Sequence, residues 1–364
     1  MNIPFLRWID RYGIGMIAGL LRILPRRKKP SAEIKKILII KLWAVGDAVV
    51  SLPLITGLRK AYPQATIDVF CHRNNAFVYT QHVDAIHLFP GKELVKKCNY
   101  YELVFDTEPF LNVSALYAWY LGTFRIGFAH QWRSGLYNAS VSFKHDQHMV
   151  QNYLDMLRTL GKKYDTKQLV PLFVDMKIKE KIQKKLPKGK IVGINPGISG
   201  SAKTRMWPMD RFAEVIKYLI KKGFTVIIID GKDNRETSDR LLQYVGENRK
   251  KVIDFTGKTN WPETVALISL CDLFIGNDSG PMHVAAAEGV KTVGLFGPNL
   301  PSLWSPYGPG NKAVYKPIEC GSAIVNDKGI FPDCQWKGTK KEHNCMEKIT
   351  VKEVISAIDE ALYR

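Results

Sequence analysis

The 364-residue chain carries 53 Lys and Arg against 34 Asp and Glu, a formal net charge of +19, with 46% hydrophobic residues. That hydrophobic content excludes a disordered chain, and the length suffices for two domains, each with its own core. The basic excess points to an anionic partner (nucleic acid, an anionic membrane surface or a phosphorylated substrate) unless it is only a solvated lysine-rich surface. The lysines are scattered and match no nucleic-acid-binding module, so no nucleic acid is expected.

Residues 1–30 are apolar but interrupted by Arg7, Asp10, Arg11 and Arg22, too often to span a bilayer. No small-residue cleavage site follows. Phe5, Trp8 and Tyr12 with the closing Arg26-Arg27-Lys28-Lys29 suit a helix lying in the headgroups of an anionic leaflet. The alternative is a helix packed on the protein itself. Either way the expected location is cytoplasmic, peripheral on the inner face of the membrane.

After Pro30 the pattern alternates strand and helix. Strands are predicted at 36–41, 66–71, 85–89, 101–106 and 124–128, with helices at 47–61 and 112–121 and another near 148–160. A polar, Lys-rich passage near 175–190 follows, and the alternation restarts with strands at 191–194, 225–230, 252–255, 272–276 and 292–296. Two such runs predict two doubly wound α/β domains, 31–175 and 190–345, with the ligand in a cleft they face. Residues 299–345 read as loop, and Val351 to Leu362 as a helix.

Chemistry is most legible at 272–298. Apolar Leu273 to Ile275 stops at Gly276-Asn277, and a helix start follows at Asp278-Ser279-Gly280-Pro281. Asp278 or Ser279 serves as N-cap and Pro281 suits the first helical position. Free amides and the helix dipole there favour a phosphate, and His283 lies in the first turn. After strand 36–41, Gly46 permits a tight turn and Asp47 begins a helix. That carboxylate either caps its helix or takes a proton from a substrate hydroxyl. Strand 191–194 runs into a polar loop with Lys203, Thr204 and Arg205, where a cation meets a leaving diphosphate unless it is surface charge. Glu236, after the next strand, binds ribose hydroxyls or caps a helix. The chain has no P-loop lysine motif, no GxGxxG after the first strand and no Asp-x-Asp pair, which argues against ATP hydrolysis and hydride transfer. Cys71, Cys98 and Cys271 read as buried thiols. Cys320, Cys334 and Cys345, with His343 nearby, match no zinc spacing, so no metal site is expected.

Three stretches, KILIIKLWAVGDAVVSLPLITGLRKAYPQATIDVF (36–70), INPGISGSAKTRMWPMDRFAEV (194–215) and IGNDSGPMHVAAAEGVKTVGLFGP (275–298), together resemble glycosyltransferase family nine, the ADP-heptose:lipopolysaccharide heptosyltransferases. The resemblance implies a GT-B fold, with two Rossmann-like domains holding acceptor and nucleotide sugar, and a final helix, 350–362, crossing back to the first. It implies inverting, metal-independent transfer of a heptose from ADP-heptose, or a similar nucleotide sugar, to a lipid-linked anionic glycan such as a lipopolysaccharide core, without a cofactor. On matching positions Asp47 is the general base and Arg205, where the family often has Lys, the diphosphate ligand, with Lys203 sharing that role. Thr204, Glu236, Asp278, Ser279, Gly280 and His283 fall in the donor site. Competing readings are a member with another donor or acceptor, and a non-catalytic nucleotide- or glycan-binding protein. The Asp47 and Arg205 contexts argue against the latter, since a binding module needs no base.

Overall fold

The computed structural model describes residues 9–21, 23, 29–130, 132–198, 203–317, 339, 341 and 344–363. Residues 1–8, the basic run 26–28, the loop 199–202, Cys320, Cys334 and His343 lie outside them. The described residues up to Thr166 form one compact unit and those from Lys167 onward a second.

The first unit is built on β1 (Lys36–Lys41), β2 (Thr66–Cys71), β3 (Ala85–Leu88), β4 (Tyr101–Asp106), β5 (Gly122–Phe128) and β6 (Ala139–Val141). They form one sheet in the order 3-2-1-4-5-6, parallel throughout. Consecutive Ile37, Leu38, Ile39 and Ile40 are all buried, as a strand with helices on both faces requires. Helix Asn112–Leu121 covers the face made by Leu38, Ile40 and Val104. Helices Val45–Ala61 and Met149–Arg158 pack on each other.

Ahead of β1, a π-helical turn Ile9–Ile14 continues as α-helix Gly15–Leu21. Both lie on helix 112–121, and the α-helix also touches the turn Trp132–Leu136. Asp10 secures the contact: its carboxylate accepts the amides of Asn112 and Val113 at 3.0 and 2.8 Å. The Asn112 side chain returns a bond to the Asp10 carbonyl. This stretch therefore packs on the protein, yet it leaves Tyr12, Met16, Ile17, Leu20 and Ile23 exposed beside an equally exposed Trp132. Among the described residues, no helix is long and apolar enough to cross a membrane.

The second unit repeats the plan with β7 (Ile191–Asn195), β8 (Thr225–Ile228), β9 (Val252–Asp254), β10 (Leu273–Asn277), β11 (Lys291–Phe296) and β12 (Lys312–Tyr315). Their order is 12-11-10-7-8-9, again parallel throughout, so counted from its own first strand this sheet too reads 3-2-1-4-5-6. Strand β12 falls in the passage expected to be loop. It has four residues, of which only Val314 is buried, and Pro and Gly on either side hide its period. Helix Met176–Gln183 opens the Lys-rich passage, started by an Asp175 cap, and packs on helix Trp261–Ile268. Helix Val351–Tyr363 inserts Val354, Ile358 and Ala361 into the second core beside Val192, Ile194, Val293 and Leu295. Of the cysteines expected to be buried, Cys71 and Cys271 are, whereas Cys98 is exposed in the turn before β4.

Candidate active site

In an open parallel sheet of order 3-2-1-4-5-6 the strand order reverses between strands 1 and 4, and the loops leaving their carboxyl ends part to form a crevice. In the first unit these loops follow β1 and β4. Lys41, the last residue of β1, is 1% exposed and pairs with buried Glu108 at 3.4 Å. Burial alone would lower the lysine pKa, but the carboxylates of Glu108 and Asp47 together with the Tyr153 and Tyr79 hydroxyls hold it well above its ordinary value. The same Glu108 oxygen accepts the amides of Leu42 and Trp43 at 2.7 and 2.9 Å. The turn itself is made at Ala44, with φ +62° and ψ 131°, and not at Gly46, which lies buried inside helix 45–61. Ala44 holds the N-cap position without a side-chain cap, and Asp47 stands half-buried in the first turn. Asp47 is thus not the cap of its helix, and its field reaches the buried Lys41.

In the second unit the corresponding loops leave β7 and β10. Two strand-end asparagines tie them together. Asn277 donates to the Pro196 carbonyl at 2.8 Å and accepts the Trp207 amide at 3.0 Å. Asn195 donates to the Ile229 carbonyl and accepts the Ser279 hydroxyl at 2.8 Å. Ser279 is the N-cap of helix Gly280–Ala287, but its hydroxyl is spent on Asn195, so the helix has no side-chain cap. The first amides of an uncapped helix are open to an anion. Asp230, just beyond β8, accepts the amides of Gly197 and Gly231 and the Asn234 side chain. A Cβ on Gly197 would stand 2.2 Å from an Asp230 oxygen, which is why this position needs glycine.

Arg205 ends the turn Lys203–Arg205 and reaches buried Asp278 at 3.0 Å, where the Asn299 amide also donates. Burial raises the Asp278 carboxyl pKa, and Arg205 and Asn299 offset part of the rise. His283 is buried and held neutral, its pKa lowered to about 3 by desolvation and by the Arg205 charge. Among the described residues, four buried polar atoms here lack a hydrogen-bond partner: Arg205 Nε, His283 Nδ1, Asn299 Oδ1 and Trp304 Nε1. The Trp304 ring lies edge-on to His283 at 6.2 Å. Unmet buried groups are costly, and such a cluster has the donors and acceptors to take a polar ligand.

Of the residues expected in the site, the structure brings together Arg205, Asp278, Ser279, Gly280 and His283. Lys203 is exposed and Thr204 buried on the same turn. Glu236 is exposed in the first turn of helix Arg235–Val245 and takes no part in this network. Asp47 belongs to the other unit. Glu108, Asn195, Asp230, Asn277 and Asn299 escape sequence reading, because each acts through chain-distant contacts. Among the described residues no group of three His, Cys, Asp or Glu is placed to hold a metal ion.

Two Rossmann-like units, each a parallel six-stranded sheet between helices, with a half-buried Arg205 on buried Asp278 at the switch point of the second, define an α/β protein of GT-B architecture. Residues 92–328 match the sequence model of glycosyltransferase family 9 (heptosyltransferase), and the chain belongs to that family. It is 34% identical over 171 residues to lipooligosaccharide heptosyltransferase 2 of Campylobacter jejuni, covering 46% of this chain and 50% of that protein. The match thus spans about half the length of that relative. In fold it is similar to a family 9 glycosyltransferase from Veillonella parvula, with a TM-score of 0.73 and 22% identity over 92% of this chain and 99% of that one. It is also similar to the ADP-heptose LPS heptosyltransferase II of E. coli, with a TM-score of 0.71 and 24% identity over 90% and 98% of the two chains.

Proposed function

We propose that the protein transfers a heptose from ADP-heptose to a lipopolysaccharide core or a related lipid-linked anionic glycan, inverting the anomeric centre. The observation that carries this reading is the donor-type cluster: an uncapped helix N-terminus, Arg205 on Asp278, and four buried polar atoms awaiting partners. Family membership supplies the reaction class. Asp47 takes the proton of the acceptor hydroxyl as its oxygen attacks the anomeric carbon. The bond from that carbon to the diphosphate oxygen breaks on the opposite face, and the electron pair leaves with ADP. Arg205, aided by Lys203 and the amides of helix 280–287, meets the charge that develops, so the step requires no divalent cation. His283, held neutral, offers the diphosphate or its sugar a hydrogen bond and no charge.

The acceptor is lipid-linked, and the reading includes a peripheral place on the inner face of the cytoplasmic membrane. The exposed stripe Tyr12, Met16, Leu20 and Ile23, with Trp132 beside it and the basic run 26–29 after it in sequence, supports that place.

The test is Asp47→Asn. Transfer from ADP-heptose to a heptose-free core should fall by roughly 10²–10⁴-fold, the range for a general base. ADP should still raise the melting temperature of the variant as it does for the parent. Undiminished transfer removes Asp47 from the base role, and a parent protein indifferent to ADP, UDP, GDP and CDP removes the nucleotide-sugar reading.

A further inference from the structure

Trp43 is 46% exposed, two residues beyond the end of β1 and four before Asp47. Its ring stacks on His72, the residue after β2, with centroids 5.1 Å apart and planes at 27°. His72 covers one face of the indole, and the exposure belongs to the rest.

The backbone under this pair is fixed from several sides. Glu108 accepts the Trp43 amide, His72 Nδ1 accepts the amide of Asn74 at 3.2 Å, and the Asn75 side chain donates to the Lys41 carbonyl at 3.2 Å. Directly after Trp43 comes Ala44 at φ +62°. A non-glycine residue there is strained, and it persists only where its surroundings over-determine it. The result is a large aromatic ring held in water at a strand's carboxyl end. Burying such a side chain would stabilise the fold, so folding alone gives no reason for the arrangement.

We propose that the Trp43–His72 stack is the platform on which the acceptor sugar lies, with the C–H face of its ring against the indole. A pyranose presents ring hydrogens on one face and hydroxyls around its rim. Stacking removes the apolar face from water while the rim stays free to bond. An indole supplies this area with only two side-chain torsions to order. Arg73 and Asn74, exposed beside His72, offer a cation and an amide to an acidic substituent of that sugar. The proposal rests on the reading of Asp47 as the acceptor base. It makes Trp43 the residue that sets acceptor affinity, and Glu108 the positioning residue that keeps Trp43 in place.

Steady-state rates of the full chain with ADP-heptose and O-deacylated, heptose-free lipopolysaccharide test it. Trp43→Ala should raise the acceptor KM at least tenfold, leaving the ADP-heptose KM and the melting temperature as in the parent. Trp43→Phe should recover most of the affinity. An unchanged acceptor KM in Trp43→Ala overturns the platform, and so does a loss confined to kcat and melting temperature, which would indicate a structural role. Asp47→Asn run alongside separates the two readings. If it is inactive while Trp43→Ala behaves as the parent, only the platform falls. If it is active while Trp43→Ala loses acceptor affinity, only the base falls. A parent protein that neither modifies this oligosaccharide nor binds it by calorimetry also overturns the platform.

Discussion

Asp230 lies just past β8 and, through its bonds to Gly197, Gly231 and Asn234, holds together the loops that leave β7 and β8. Burial raises its pKa from 3.8 to about 6, against the opposing bonds from Asn234, Gly231 and Gly197. The folded protein therefore holds this proton more tightly than the unfolded chain does. The resulting stabilisation is complete below about pH 3.8 and is lost as pH rises through about 6, by on the order of 2–3 kcal/mol. Asp230→Asn should abolish that component, so the parent-minus-variant unfolding free energy should fall between pH 4 and 6. Urea titrations at a series of pH values measure it, and a flat difference would refute the raised carboxyl. His283 acts with the opposite sign. Its folded pKa, about 3, lies below the ordinary 6.5, so its contribution is present above pH 6.5 and is lost as pH falls towards 3. A one-dimensional reading reaches the two residues unequally. His283 was found from its place in the turn after Pro281, but its neutrality comes from burial and Arg205. Nothing local in the sequence marks Asp230, which is tied to the loop after β7 by its bond to Gly197, 33 residues away.

Among the elements, helix 112–121 shows how far a local pattern reaches. Its bounds follow from its apolar run, but its cap comes from Asp10, 102 residues earlier. Asp10→Ala should cost roughly 1 kcal/mol, the usual loss for an N-cap. In a domain of this size that lowers the melting temperature by about 2–4 °C. Calorimetry that finds no shift would show that the cap contributes nothing. The long strands β1, β2 and β4 were legible because buried parallel strands read as unbroken apolar runs. Strands β6 and β12, of three and four residues, offered no such run. The turn before helix 45–61 misled in an instructive way. Gly46 was the residue suited to a tight turn, whereas the chain places the positive φ on Ala44, where the Glu108 bonds to Leu42 and Trp43 fix the backbone. No propensity scale points to an alanine there.

At the scale of the molecule, the charge of +19 and the apolar stripe of helix 15–21 belong to one prediction. The protein should sediment with vesicles containing phosphatidylglycerol, less in 0.5 M salt, and weakly with neutral vesicles. Met16→Asp with Leu20→Asp should abolish sedimentation without lowering the melting temperature, since both side chains are exposed. Equal partitioning of parent and variant would remove the stripe from the membrane reading. Deleting residues 1–30 is a poorer test, because it also takes away the Asp10 cap. The shared strand order also governs how the chain assembles. In each sheet the first strand made, β1 or β7, ends at the centre, and every later strand pairs with one already synthesised. That order allows each sheet to grow by accretion as the chain leaves the ribosome, every strand after the first finding a partner already made. Helix 351–363 is the exception. Val354, Ile358 and Ala361 complete a core whose strands all precede them, so part of the second sheet stays uncovered until that helix emerges, and that interval is when a holdase chaperone would find it.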